Sequence, residues 1–169
     1  YELWVQRLMD YRLPRFEELP EIPLYLDQVL EYVNDVLSDI FQDEEKLVTR
    51  SMINNYVKHK IMPAPMNRKY TNEHLAYIIV ITVFKSVLSL PNIARGIEII
   101  LMELDPRDGY NLFTEMIEKS IRLLLPEGHF YYANDHENSI LTAWLILRPS
   151  KLAALPPAPA APASAPAPA

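Results

Sequence analysis

Apolar residues recur at intervals of three and four over most of the chain, and no period-two run of useful length is present. Leu26, Val29, Leu30, Val33, Val36, Leu37 and Ile40 fall on one helical face. Residues 23–41 are therefore predicted as an amphipathic helix with Pro23 in its first turn and Asp43, Glu44 and Glu45 ending it. Thr49 is placed as the N-cap of a helix reaching about His59, and Asn72 as the cap of a helix over residues 73–88. "SLPNIARGIEIILMEL" predicts another helix, with Pro91 near its start. Two more are expected at about 111–125 and 139–147. Upstream, "YELWVQRLMDY" places Trp4, Leu8 and Tyr11 on one face. "RLPRFEELPEIP" is too rich in proline for a helix and is expected to run extended, anchored by Leu13, Phe16, Leu19 and Ile22. "DPRDG" reads as a turn. The expected class is all-α, with a minimal hairpin near residues 63–70.

Composition narrows the picture. A length of 169 residues suits one buried core with appendages, taken as a helical domain over residues 1–150. "LPPAPAAPASAPAPA" is nearly pure Pro and Ala, so residues 151–169 read as a flexible, polyproline-like tail. The "KLAA" before it resembles a cloning-vector scar. Cysteine is absent, which excludes disulfides and thiolate-bound metals. With three glycines, a phosphate-cradling loop is not expected. The longest apolar stretch, residues 75–84, is too short to span a membrane, and no secretory signal is visible. Since the chain opens on Tyr1, there is room for a preceding segment.

Charge is segregated. Residues 1–45 carry net −9, residues 46–95 net +7 and residues 96–169 net −4, within an overall −6. The basic block holds Lys46, Arg50, Lys58, Lys60, Arg68, Lys69, Lys85 and Arg95 against one acid, Glu73. Such a block implies either an anionic partner or an internal match to the acidic helix before it.

The spacing in "TRSMINNYVKHKIMP" favours the partner. Ile53, Tyr56 and Val57 fall on one side of a helix, and Arg50, Ser51, Asn54, Asn55 and Lys58 fall toward the other. Asn and Arg can pair bidentately with adenine and guanine in the major groove, and Lys and Ser suit phosphates. The following "IMPAPMNRKY" turns the chain and presents Arg68 and Lys69, with Tyr70 behind them, as a basic wing over residues 63–70.

"SMINNYVKHKIMPAPMNRKYTNEHLAYIIVI" resembles the DNA-binding head of MerR-type regulators. Ile53 and Tyr56 match the Thr-Ile-Arg-Tyr-Tyr core of their recognition helix, Ile61-Met62-Pro63 stands at Leu-Leu-Pro, and Arg68 and Tyr70 stand at Arg-x-Tyr. "LSLPNIARGI" is similar to a later element of that family. The resemblance implies a winged helix-turn-helix core over residues 46–95. Two departures stand out: a long acidic helix and "QDEEKLV" replace the short first helix, and Lys60 occupies a glycine position, which calls for either a left-handed backbone or an altered turn there. Over residues 8–148 the chain more closely resembles the bacterial family called domain of unknown function 1836. That resemblance implies a cytoplasmic, one-domain protein and assigns no chemistry.

No nucleophile triad, paired-carboxylate motif or metal-ligand spacing stands out, so neither an enzyme nor a cofactor is expected. "HFYYANDHEN" spaces His129 and His136 seven apart, which reads as a polar loop rather than a zinc site. Apolar surplus in the C-terminal helices (Leu112, Phe113, Met116, Ile117, Ile121, Leu124, Ile140, Leu141, Trp144) suggests core first and a homodimer interface over residues 96–150 second. An apolar effector pocket near Phe130, Tyr131, Tyr132 and Trp144 is a weaker reading. Two functions are carried forward: a transcriptional regulator reading double-stranded DNA, and a helical protein–protein interaction module whose basic segment rests on the acidic helix. Burial of the basic face under Asp35, Asp39 and Glu45 would favour the second.

Overall fold

The computed structural model describes Leu8, residues 10–41 and residues 46–124. Along these run a 3-10 turn at Phe16–Glu18, strand β1 (Leu24–Tyr25), α1 (Leu26–Leu37), α2 (Arg50–Lys58), β2 (Lys69–Tyr70), α3 (Asn72–Phe84), α4 (Leu90–Glu103) and α5 (Pro106–Leu124). The chain is mostly helical with one small sheet. The helix expected at residues 139–147, the loop with His129 and His136, and the tail lie outside the described residues.

α3 is the centre. It is apolar on nearly every side, and Leu75, Ala76, Ile78, Ile79, Ile81 and Val83 are all buried. A helix apolar all round is stable only when wrapped by others. Here α1, α4, α5 and the 3-10 turn pack against it. α1 contributes Val29, Val33 and Leu37, and α5 contributes Ile117 and Ile121.

Four expectations are corrected. α1 begins at Leu26 rather than Pro23, because Leu24 and Tyr25 pair antiparallel with Tyr70 and Lys69 and are held extended. Gln28 Oε1 then accepts the Tyr25 N–H at 2.9 Å, satisfying a donor at the helix entrance. Secondly, "DPRDG" is not a turn but the start of α5: Asp105 Oδ1 accepts the Asp108 N–H at 2.9 Å, and Pro106 needs no donor in the first turn. Gly109 sits inside this helix because a Cβ there would stand 3.0 Å from Ile100 Cγ2 of α4. Thirdly, α3 is capped by Thr71 rather than Asn72 and ends at Phe84, with a turn over residues 85–87. Lastly, Leu13 and Leu19 are buried as expected, whereas Ile22 is 78% exposed and anchors nothing.

The extended segment is strapped to α5 by polar contacts. Glu118, 4% exposed, accepts the Leu13 N–H at 2.9 Å and both guanidinium nitrogens of Arg15 at 2.8 and 3.0 Å. Asn111 Oδ1 accepts the Phe16 N–H at 2.8 Å.

Candidate nucleic-acid interface

α2 starts where Thr49 Oγ1 accepts the Met52 N–H at 3.4 Å, as its place before the helix led one to expect. Its entry is held by Asn34 of α1. The Asn34 carboxamide oxygen accepts the Leu47 and Val48 N–H groups at 2.7 and 3.2 Å, and its Nδ2 donates to the Leu30 and Val48 carbonyls at 2.7 and 3.1 Å. Ile53 and Tyr56 are buried beneath α2, and burial pushes the Tyr56 hydroxyl up to about 12. Arg50, Ser51, Asn54 and Lys58 are exposed on the other side, and Asn55 is half-buried. Lys85, counted in the basic block, is turned inward: its ammonium donates to the Leu47 carbonyl and lies 3.3 Å from Met52 Sδ.

α2 ends in a Schellman motif. Ile61 N–H donates to the Tyr56 carbonyl at 2.9 Å and Lys60 N–H to the Val57 carbonyl at 3.0 Å, with Lys60 left-handed at φ 56°. Of the two conformations open to Lys60, the left-handed one is therefore taken. Ile61 and Met62 then plunge into the core. The chain returns through a two-residue turn in which Asn67 (φ 50°) and Arg68 (φ 61°) are both left-handed and Lys69 N–H closes on the Met66 carbonyl at 2.9 Å. This is the geometry of type I′ hairpins, in which Asn suits the first position and Gly the second. The minimal hairpin expected near residues 63–70 is a single Met66–Lys69 bridge, and β2 takes its strand partner from β1, far upstream.

Behind the turn, Tyr70 is buried and meets the His74 ring edge-on at 5.6 Å, which makes it a buttress of the turn. Thr71 N–H donates to His74 Nδ1 at 3.1 Å, so this nitrogen is the acceptor and Nε2 carries the proton toward the Ala64 carbonyl at 3.3 Å. His74 thereby joins the loop at Ala64 to the first turn of α3. Lys69 Nζ stands 5.4 Å from the centre of the Tyr25 ring, a cation–π contact across the sheet.

The structure thus gathers Arg50, Ser51, Asn54, Asn55 and Lys58 on one outward side of α2, and carries Arg68 and Lys69 on the turn that follows it. Tyr70 alone of the expected residues is withdrawn. Arg50 pairs with Asp27 in the first turn of α1. It also lies near enough to Tyr70 to oppose the upward push of burial on that hydroxyl. Among the described residues, no carboxylate pairs with Lys58, Lys60, Arg68 or Lys69; Asp35 and Asp39 are exposed and make no ion pair with the basic side chains, and Glu45 lies outside those residues. Sequence reasoning missed Asn34, Asp27 and His74 as organisers. Asn34 falls between two inward apolar positions of α1, a signal of a buried polar role visible only once its partner is known.

Among the described residues no cluster of His, Asp and Glu could hold a metal, and no helix is long and apolar enough to cross a membrane. Residues 14–118 match the model of a family described as Domain of unknown function (DUF1836). No curated protein and no solved structure matches the chain.

Proposed function

The chain belongs to the DUF1836 family, and we propose that it is a DNA-binding transcriptional regulator that lays α2 in the major groove and grips flanking phosphates with the residue 67–69 turn. What carries this reading is the pair Lys60 and Arg68. Both sit at left-handed positions where glycine would be free of strain, and each is exposed and without a carboxylate partner among the described residues. A non-glycine residue in this conformation costs about 1–2 kcal/mol, so a long cation at both places calls for a benefit outside the fold. In a protein of net charge −6, that benefit is best supplied by an anionic partner.

In this reading Asn54 and Asn55 meet base edges, Arg50, Ser51 and Lys58 meet bases or phosphates, and Arg68 and Lys69 hold the backbone. The MerR-like winged helix-turn-helix is part of the same proposal. Its first helix would be α1, joined to α2 by residues 38–49 instead of a tight turn and fixed to it through Asn34. A homodimer through the C-terminal part would double the contact, as two-fold sites require.

The alternative, a helical module that binds protein, draws on the Arg50–Asp27 pair, where the acidic helix does reach the basic segment. Fluorescence anisotropy with random duplex DNA over a salt series decides between them. Binding in the micromolar range that weakens with salt, and whose salt slope falls by about 2 in the Arg68→Ala/Lys69→Ala variant, is expected. Absence of binding at low salt would sink the regulator and leave the module.

A further inference from the structure

The small sheet of β1 and β2 has two faces of opposite character. Leu24 and Tyr70, paired across it, turn toward the core, Leu24 half-buried and Tyr70 buried. Tyr25 and Lys69, the next pair, turn outward, and both are exposed. Met66 bridges Lys69 from its other side and is 76% exposed, against 57% for Tyr25. Directly paired residues share a face of a sheet, so Tyr25, Lys69 and Met66 form one outward row. With neighbouring Cβ atoms about 5 Å apart, that row is roughly 10 Å long.

Charge says what kind of partner this row fits. Among the described residues Lys69 has no carboxylate partner, and its Nζ lies over the Tyr25 ring, 5.4 Å from the centre. Arg68, next in the chain, is exposed and likewise without a carboxylate there. Tyr25 and Met66 add nothing to the core from where they stand. An aromatic ring and a thioether thus flank an unneutralised ammonium, in a chain of net charge −6. Deoxyribose and phosphate present the matching alternation along a DNA groove. The minor groove in particular takes apolar side chains such as Met, with Lys and Arg beside them.

We propose that this outward face enters the minor groove of duplex DNA beside the major-groove segment held by α2, with Met66 on the groove floor, Tyr25 against a deoxyribose and Lys69 between them on phosphate. The inference rests on the DNA-binding reading and adds a specificity to it. The row is longer than the groove's width of about 6 Å and so lies along it. At about 3.4 Å per step it covers about three base pairs. On the groove floor a G·C pair differs from A·T by the projecting guanine N2 amino group. A thioether is a weak acceptor, so Met66 meets that group as an obstacle, and A·T pairs are preferred under the row.

The test is fluorescence anisotropy of the full chain on two duplexes of one sequence, the second with inosine in place of guanosine. Inosine lacks only the N2 amino group and leaves the major-groove edge of the pair unchanged. Wild type is expected to bind the inosine duplex about threefold or more tightly than the guanosine duplex. Tyr25→Ser/Met66→Ser is expected to weaken binding to the inosine duplex about fivefold or more and to abolish the preference. Its salt slope is expected to stay that of wild type, because neither residue neutralises a phosphate. Tyr25 is the N-cap of α1, a place that suits serine, so the variant is expected to unfold no lower than wild type. Equal binding of the two duplexes by wild type, a measurement that needs no variant, overturns the proposal. So does undiminished binding by the folded variant; either result leaves the DNA-binding reading standing. If wild type binds neither duplex at low salt, that reading falls and this inference falls with it.

Discussion

Arg50, in the first turn of α2, is ion-paired with Asp27, in the first turn of α1. Both side chains are more than half exposed, so the pair adds little to stability, about 0.2–1 kcal/mol. Its interest is electrostatic, for it sets one carboxylate beside the face proposed to meet phosphates. Asp27→Asn is expected to tighten duplex DNA binding several-fold at low salt, an effect that shrinks as salt rises. Anisotropy titrations of both proteins at two salt concentrations check this. Equal affinities would mean that Asp27 lies clear of the bound duplex.

The left-handed cations allow stability and function to be pulled apart. Replacing Arg68 by Gly relieves strain in the type I′ turn and removes a proposed phosphate contact. Arg68→Gly is expected to raise unfolding stability by about 1 kcal/mol while lowering DNA affinity, and Lys60→Gly to raise stability similarly. Urea melts and binding curves on the same samples give both signs.

Glu118 takes four partners into one buried carboxylate: the Leu13 N–H, two nitrogens of Arg15 and, at 3.7 Å, Arg122. Removing it leaves the buried Leu13 N–H without its acceptor and takes from the Arg15 guanidinium its carboxylate, with Thr114 Oγ1 at 2.6 Å still accepting. Glu118→Ala is expected to cost about 3 kcal/mol or more, seen as a lower urea midpoint with an unchanged m-value. DNA binding of the folded fraction should be unaltered.

Burial raises the hydroxyl pKa values of Tyr11, Tyr56 and Tyr110, that of Tyr56 to about 12. Unfolded tyrosine titrates near 10, so between pH 10 and 12 the unfolded chain binds fewer protons than the native one and stability falls as pH rises. Below pH 10 this contribution is fully present. Absorbance at 295 nm is expected to show these tyrosines ionising late, together with loss of helical circular dichroism.

Acid acts on the strap. Hydrogen bonds from Arg12 and the Arg15 N–H hold Glu18 below the usual carboxylate value of about 4.5, and a hydrogen bond from its own backbone N–H, then Asn111 and the nearby Arg107, do the same for Glu17. Their stabilisation is present above pH 4.5 and is lost as pH falls through the lower folded values. Thermal melts at falling pH are expected to drop less in a Glu17→Gln/Glu18→Gln double variant, which starts lower.

Local chemistry along the chain determined the helical class, the span of α2 with its Thr49 cap and inward Ile53 and Tyr56, and the segregation of charge into the 46–95 block. Periodicity and capping act within a few residues, so they are legible without knowledge of the fold. It also determined that a non-glycine residue would stand at Lys60, although not the Schellman bonds that hold it there. Tertiary structure decided the rest. β1 exists because the turn at residues 67–69 presents an edge for Leu24 and Tyr25 to pair with, and it draws the start of α1 past Pro23. Asn34, Lys85 and Glu118 have their roles set by partners 13 to 105 residues away in sequence, a range over which no local pattern carries information. The outward row of Tyr25, Lys69 and Met66 is likewise a property of strands that meet: Tyr25 in "PLYLDQV" reads alone as part of a helix, and comes beside Lys69 only when β1 pairs with β2.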